Sequence, residues 1–283
     1  MEKIRPLKRL GQNFLIDKNI VRKIVKAANL QSKDFVLEIG PGLGVLTKEL
    51  AKLPVYVLAV EKDQKLCQIL KQTLKNYKNI EIINGDVLKF EIIKLFKNLK
   101  ATLRGVRFAS RKIKNYKVVS NLPFYITAPV IRKFLESPSP PEKMVLIIQK
   151  EMAQRICASP PDMSILAVSV QFYAKPEIIS YVSRKSFRPQ PKVDAAIIKI
   201  IPQKKNKIKA DLFFKIVKAG FSHPRKQLAN NLAKELKLNK EELSSLLLAN
   251  NIQPSQRAET LFIEDWIRLT KTVNSKQDVL CIN

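Results

Sequence analysis

The sequence predicts an α/β fold: a mainly parallel, doubly wound sheet of seven strands, followed by a small all-helical domain. Three observations carry the prediction. Short apolar runs alternate with helix-length amphipathic segments through the first half of the chain, a pattern that puts helices on both faces of a parallel sheet. The first of these runs ends in glycines, as at a tight strand-to-helix turn. Beyond a lysine-rich stretch at 202–209 only helical patterns remain. The boundary is therefore expected between a first domain, residues 1–204, and a second, residues 205–283.

Each element follows from local chemistry. Residues 1–16 form a basic arm that runs into Gly11-Gln12-Asn13-Phe14-Leu15. Asp17 is placed to cap a helix whose apolar positions Ile20, Val21, Ile24, Val25 and Ala28 recur at helical spacing. Phe35–Ile39 reads as a buried strand, 45–53 as a helix, Val55–Val60 as the second strand, 63–75 as a helix and Glu81–Ile83 as the third strand. Residues 87–117 hold a helix-like portion near 90–99. They then carry Arg104, Arg107, Arg111, Lys112, Lys114 and Lys117 with no acidic residue between them. A solvated loop and a contact surface for an RNA backbone are equally good readings of that run. Val118–Ser120 is the fourth strand, 127–136 a helix, Met144–Ile148 the fifth strand, and 165–174 and 193–201 further strands. Helices are expected at 211–220, 225–236, 240–249 and 259–271.

Composition narrows the function classes. A hydrophobic fraction of 46% in 283 residues supports a packed core. Against 52 Lys and Arg stand 24 Asp and Glu, a net charge of +28. Such a charge opposes compaction, and a polyanionic partner is the usual reason for it; a surface tuned for solubility is the alternative. Residues 1–204 carry 38 basic and 16 acidic residues, net +22, so most of the excess lies on the α/β portion. No secretory-type apolar core occurs near the start and no run approaches 18 uninterrupted apolar residues, so no membrane span is expected. Three scattered cysteines, Cys67, Cys157 and Cys281, and the single His223 give no metal cluster and no disulfide framework. They also argue against a serine- or cysteine-hydrolase triad. A reducing, cytoplasmic setting fits best.

Glu38-Ile39-Gly40-Pro41-Gly42-Leu43-Gly44 stands at a strand-to-helix transition. Pyrophosphate clamps use GxGxxG at this place. Here the spacing is GxGxG, with Val45 at the sixth position, which favours the amino-acid part of S-adenosylmethionine passing over the turn. Glu61 closes the second strand 21 positions after Gly40, where an acid can accept from both ribose hydroxyls. Asp86, just beyond the third strand, can accept from the adenine amine of the cofactor. Each acid alone is as readily a solvated strand end. Acids near the turn, Glu38 included, also suit a cationic sulfonium.

The fourth strand runs into Asn121-Leu122-Pro123-Phe124. An exocyclic amine is a weak nucleophile because its lone pair is delocalised into the ring. Acceptors that hold its hydrogens favour a pyramidal nitrogen aimed at the methyl donor. The Asn121 side-chain oxygen and the Leu122 carbonyl can do this, Pro123 shapes the turn, and Phe124 offers a face on which an extruded base stacks. The competing reading is an Asn-Pro turn with Phe124 as ordinary core.

The chain resembles the ribosomal RNA small-subunit adenine N6,N6-dimethyltransferase family. The resemblance covers about residues 6–202 and rests on PLKRLGQNFLID (6–17), VLEIGPGLGVLTKEL (36–50), VLAVEKD (57–63), GDVL (85–88), NLPFYITAPVI (121–131), QKEMAQRI (149–156) and FRPQPKVDAAIIKI (187–200). It implies a Rossmann-like class I S-adenosylmethionine-dependent methyltransferase with a small C-terminal helical domain. The implied reaction is dimethylation of two adjacent adenosines near the 3′ end of 16S rRNA within an assembling small ribosomal subunit, by a monomer. It also implies cofactor contacts at Gln12, Asn13, Leu15, Gly40, Gly42, Glu61, Asp86 and Asn121, with Gln12 and Asn13 closing over the methionine end. Phe187, Pro189 and Pro191 are implied to form a loop facing the target base. Lys150 and Arg155 are implied to lie toward RNA, in a segment shared with Gln149 and Glu151.

The sequence departs from the family pattern in places. Phe124 replaces a commoner tyrosine, Ala195 a frequent serine, the segment 159–165 lacks a usual Tyr-Gly, and 100–115 is long and basic. These departures bear on target placement rather than on the cofactor. Rival readings are a dimethylase of 23S rRNA that confers antibiotic resistance, a non-catalytic nucleic-acid-binding factor on the same fold, and a DNA adenine methylase. The turn GPGLG and the loop FRPQPKVD favour the small-subunit enzyme over the first.

Overall fold

The computed structural model describes residues 6–7, 11–96, 115–203, 208–237 and 239–280. Its strands are β1 (Phe14–Leu15), β2 (Phe35–Ile39), β3 (Tyr56–Glu61), β4 (Ile80–Asn84), β5 (Lys117–Asn121), β6 (Lys143–Gln149), β7 (Ala174–Val182), β8 (Phe187–Arg188) and β9 (Ala195–Pro202). Seven of them form one sheet in the order β4-β3-β2-β5-β6-β9-β7. The pairs β3–β4, β2–β3, β2–β5 and β5–β6 are parallel, and β6–β9 is antiparallel. Val36, Leu37, Val57, Leu58, Val118 and Val119 are wholly buried, as strands covered on both faces require.

The strand order creates the crevice in which a site can form. From β2 the chain steps outward through β3 to β4, then returns to β5 on the opposite side of β2. Ligands in such sheets bind beyond the carboxyl ends of the strands where the order reverses. Here the β2–β5 register runs Val36–Lys117 and Leu37–Val118 and stops short of the strand ends. Above it, the buried Ser120 hydroxyl donates to the Ile39 carbonyl at 2.5 Å, which sets the spacing between the two ends.

The arm is held at this same end of the sheet. β1 pairs antiparallel with β8, Phe14 opposite Arg188 and Leu15 opposite Phe187. Asp17 caps α1 (Lys18–Ala28), accepting from the Asn19 and Ile20 amides, and its second oxygen accepts from the Ser186 hydroxyl at 3.1 Å. Replacing Asp17 with alanine is expected to cost about 1–2 kcal/mol, since it removes a cap and a tether together. Urea denaturation measures the loss, and an unchanged midpoint would contradict both roles.

The strand expected at 165–174 is instead a helix, Ile165–Tyr173, with Ala174 opening the strand that follows. A nine-residue apolar run has no clear period, and a helix buried on most sides leaves none. Ser164 caps it by accepting from the Ala167 amide, and Gln171 donates to the carbonyls of Ile156 and Ala158. The strand comes next, as β7, with the in-out alternation of an edge and with Pro176 and Lys175 near its start.

The chain divides into two compact units, residues 1–153 with 175–202, and residues 154–174 with 203–283. The expected boundary at 204/205 thus misses a segment. Residues 154–174 join the helical unit because Met163, Ala167, Val168 and Phe172 pack in one core with Phe213, Leu228 and Trp266. The other helices of that unit are Ala210–Gly220, Leu228–Leu236, Lys240–Ala249 and Ile263–Leu280. Among the described residues, no helix is long and apolar enough to cross a membrane.

Candidate active site

The glycine turn between β2 and α2 (Val45–Ala51) is confined from two sides. Gly40 and Gly42 have φ of +66° and +58°, a region that L side chains avoid. A Cβ on Gly40 would come within 3.2 Å of the Pro123 ring, and one on Gly42 within 2.8 Å of Phe14. The turn is thereby fitted between the arm and the Asn-Leu-Pro-Phe segment. Glu61, at the end of β3, accepts from the Gly42 amide at 3.1 Å and from the Asp63 amide at 2.9 Å. Burial raises its carboxyl above the ordinary range, against the pull of those amides. Glu38 lies deeper. Burial pushes its carboxyl up to about 8, with the Thr47 hydroxyl opposing and the Glu61 charge adding, and its Oε2 has no hydrogen-bond partner.

Asp63 also caps α3 (Gln64–Thr73) and accepts from the Gln12 side chain at 3.0 Å. The Gln12 oxygen in turn accepts from the Leu7 amide at 2.7 Å. Gln12, Asp63, Glu61 and Gly42 thus form one hydrogen-bonded chain from the arm to the turn. Asp86 accepts from Lys62 at 2.9 Å and from the Leu88 amide at 3.0 Å, and the Lys62 bond holds its carboxyl below the usual range.

Asn121 ends β5. Its amide nitrogen donates to the Asn13 carbonyl at 3.2 Å, which fixes the orientation of the side chain. Its Oδ1 is buried without a partner. An unmet buried acceptor costs about 1–3 kcal/mol, so this oxygen is a place for a donor from a ligand. The Leu122 amide donates to Ile147 and the Pro123 carbonyl accepts from Ile126, which brace the segment. Phe124 is half-buried and Tyr125 exposed.

The glycine turn, Glu38, Glu61, Asp86 and the Asn121–Ile126 segment line one cavity that opens to solvent, while Thr47 and Asp63 stand behind its wall. Gln12, Asn13, Leu15, Gly40, Gly42, Glu61, Asp86 and Asn121 all lie on its wall, as do Leu122, Pro123 and Phe124. Phe187, Pro189 and Pro191 do not. The Phe187 ring is buried in the core, in the group that includes Leu15 and Ile20. Pro189 is exposed and Pro191 buried. Lys150 is half-buried over the Tyr181 ring, and Arg155 is exposed in the other unit. Arg104, Arg107, Arg111 and Lys112 lie outside the described residues. Sequence reasoning missed Lys62, Asp63 and Tyr125. All three lie within the motifs VLAVEKD and NLPFYITAPVI; Asp63 is readable there as a helix cap, whereas the contacts of Lys62 and Tyr125 are not.

Fold and cavity together define a class I S-adenosylmethionine-dependent methyltransferase. The ribosomal RNA adenine dimethylase family matches residues 3–275, and the chain belongs to that family. It is 43% identical to ribosomal RNA small subunit methyltransferase A of Alkaliphilus metalliredigens over 281 residues, covering 97% of this chain and 94% of the relative. It is also 43% identical to the protein of the same name from Dehalococcoides mccartyi, covering 93% and 87%. Among solved structures, a dimethyladenosine transferase from Plasmodium falciparum superposes with a TM-score of 0.76 at 26% identity, covering 93% of this chain and 98% of that one. The 23S rRNA methyltransferase ErmE gives 0.73 at 25% identity, covering 93% and 100%. The chain is accordingly an S-adenosylmethionine-dependent ribosomal RNA adenine N6,N6-dimethyltransferase.

Proposed function

We propose that this enzyme dimethylates N6 of two adjacent adenosines near the 3′ end of 16S rRNA, within an assembling small ribosomal subunit, acting as a monomer in the cytoplasm. The observation that carries the reading is the partnerless, buried Asn121 Oδ1, on the same cavity wall as Glu61 and Asp86. The cofactor, when bound, supplies an electrophilic methyl group on a sulfonium. Glu61, held by two amides, keeps lone pairs for ribose hydroxyls, and Asp86 keeps them for an adenine amine. Asn121 Oδ1 and the Leu122 carbonyl accept from the target amine and turn its lone pair toward the methyl. Phe124 stacks the extruded base. With the methyl group and the departing sulfide both belonging to the cofactor, what the protein would have to provide is a path to water for the amine proton, beside Asn121 Oδ1 and the Leu122 carbonyl. No strong base is needed, because the methylated nitrogen is acidic. Alignment and fixed dipoles supply the rate.

Incubating the purified protein with labelled cofactor and unmethylated small and large subunits tests the substrate. Label in two adjacent adenosines of the small-subunit RNA is expected. Label confined to the large subunit would favour an activity like that of ErmE.

The buried acid supplies a second test. At pH 7 Glu38 is largely protonated in the free protein, with its carboxyl at about 8, and a cation entering the cavity favours its ionised form. Cofactor binding is expected to release up to about one proton, read as a dependence of binding enthalpy on buffer ionisation enthalpy and absent in Glu38→Gln. The folded state also holds this proton where the unfolded chain has lost it. Stability of the free enzyme should therefore fall as pH rises from about 4.5 to about 8, and Glu38→Gln should flatten that slope. Binding enthalpy independent of buffer would contradict the assignment.

A further inference from the structure

The edge strand β7 and the turn that follows it carry a surface that the methyl-transfer chemistry does not use. β7 is the last strand of the sheet and leaves Lys175, Glu177, Ile179 and Tyr181 exposed. Glu177 is neutralised by Lys199 at 2.6 Å. Tyr181 is 53% exposed, and the Lys150 ammonium sits 5.2 Å from its ring centroid. The turn after β7 gathers more cations on a braced backbone. The Arg184 amide donates to Asp194 Oδ1 at 2.9 Å, its guanidinium donates to the Lys192 carbonyl at 3.3 Å, and the Lys150 amide donates to the Asp194 carbonyl at 3.0 Å. Arg184, Lys185, Arg188 and Lys192 are exposed. Among the described residues, none of these four and not Lys150 forms an ion pair. The exposed acid among them, Asp194, is engaged by the Arg184 amide.

These five cations outnumber the exposed acids beside them, Asp194 and Glu151, so a net repulsion remains, and an exposed tyrosine forgoes burial. Both costs are recovered by a strand that brings phosphates and a base together. The rim also adjoins the cavity: Arg188 lies directly opposite Phe14 in the β1–β8 pair, and Phe14 lines the cavity wall.

We infer that this rim binds the RNA strand flanking the target nucleotide, with phosphates on Lys185, Arg188 and Lys192 and an unpaired base stacked on Tyr181 beneath the Lys150 ammonium. The inference deepens the proposed function and rests on its RNA substrate. The test is binding of a hairpin transcript from the 3′ end of 16S rRNA, titrated across salt concentrations. The triple variant Lys185→Gln, Arg188→Gln and Lys192→Gln is compared with a control of equal charge change on the α3 side, Lys65→Gln, Lys71→Gln and Lys75→Gln. The rim variant is expected to reduce the salt slope by about 2–3 and affinity at low salt by roughly 10²-fold, with cofactor affinity and thermal midpoint kept. Tyr181→Ala should weaken binding roughly tenfold or more at an unchanged slope, and Tyr181→Phe should restore it.

Equal slopes for the rim and control triples would overturn the inference. So would a rim variant that keeps RNA affinity but loses binding to polyglutamate, which would make the rim a site for acidic protein. Methyl incorporation by the parent enzyme is measured on the same transcript and on intact subunits. Methylation with equal slopes defeats the rim alone, whereas RNA binding through the rim without methylation of either subunit defeats the proposed function alone.

Discussion

Asn121→Ala is expected to lower the rate of methyl transfer about 10²- to 10³-fold, the usual consequence of losing one preorganised polar group at a reacting centre. Cofactor affinity should stay within about tenfold, because the arm retains its other anchors. Those anchors are the β1–β8 pair and the Gln12–Asp63 bond. The asymmetry is the informative part. The side-chain amide of Asn121 already donates to Asn13, so its oxygen can only accept. An acceptor fixed before binding helps the amine only as its nitrogen becomes pyramidal, which lowers the barrier more than it tightens the ground state. Single-turnover rates and calorimetric titration read the two quantities separately. Equal losses in both would make Asn121 a brace for the arm rather than part of the amine site.

Glu61→Ala should do the reverse, weakening cofactor binding about 10- to 100-fold, in line with about 1.5–3 kcal/mol for hydrogen bonds to a charged acceptor. Its two oxygens already hold the Gly42 and Asp63 amides. The substitution therefore loosens the glycine turn and the cap of α3 as well as removing acceptors for a ribose. Glu61→Gln is not a silent control. Its amide group would point an N–H at a backbone N–H on one side or the other. Titration with the cofactor and with its demethylated sulfide should show similar losses, since the ribose is common to both. A variant that binds both as tightly as the parent would contradict the ribose role.

What the sequence revealed of this site was what lies close together along the chain. Gly40, Gly42, Glu61, Asp86 and Asn121 each stand at a strand end, and strand ends can be read from short apolar runs and the polar residues that stop them. The fold places all five on one wall. The contacts that organise that wall join distant segments, Gln12 with Asp63, Asn13 with Asn121 and Lys62 with Asp86, and no periodicity reports them. Phe187 shows the same limit. Its pairing with Leu15 turns the ring into the core, and a two-residue strand has no pattern of its own. The Ile165–Tyr173 helix departs from the expected strand for another reason. Its apolar run carries helix and strand periods about equally, and Ser164 and Gln171, which decide the matter, act through hydrogen bonds visible only in three dimensions.

The central claim is that Asn121 Oδ1 meets the amine of an adenine drawn into the β2–β5 crevice. A crystal structure of the full-length enzyme with the demethylated sulfide of the cofactor and the 16S hairpin tests it most directly. The account predicts the target N6 at about 3 Å from Oδ1, with the base against Phe124 and the sulfur on the far side of the nitrogen. A target base seated elsewhere, with Oδ1 bonded to protein or solvent, would contradict it.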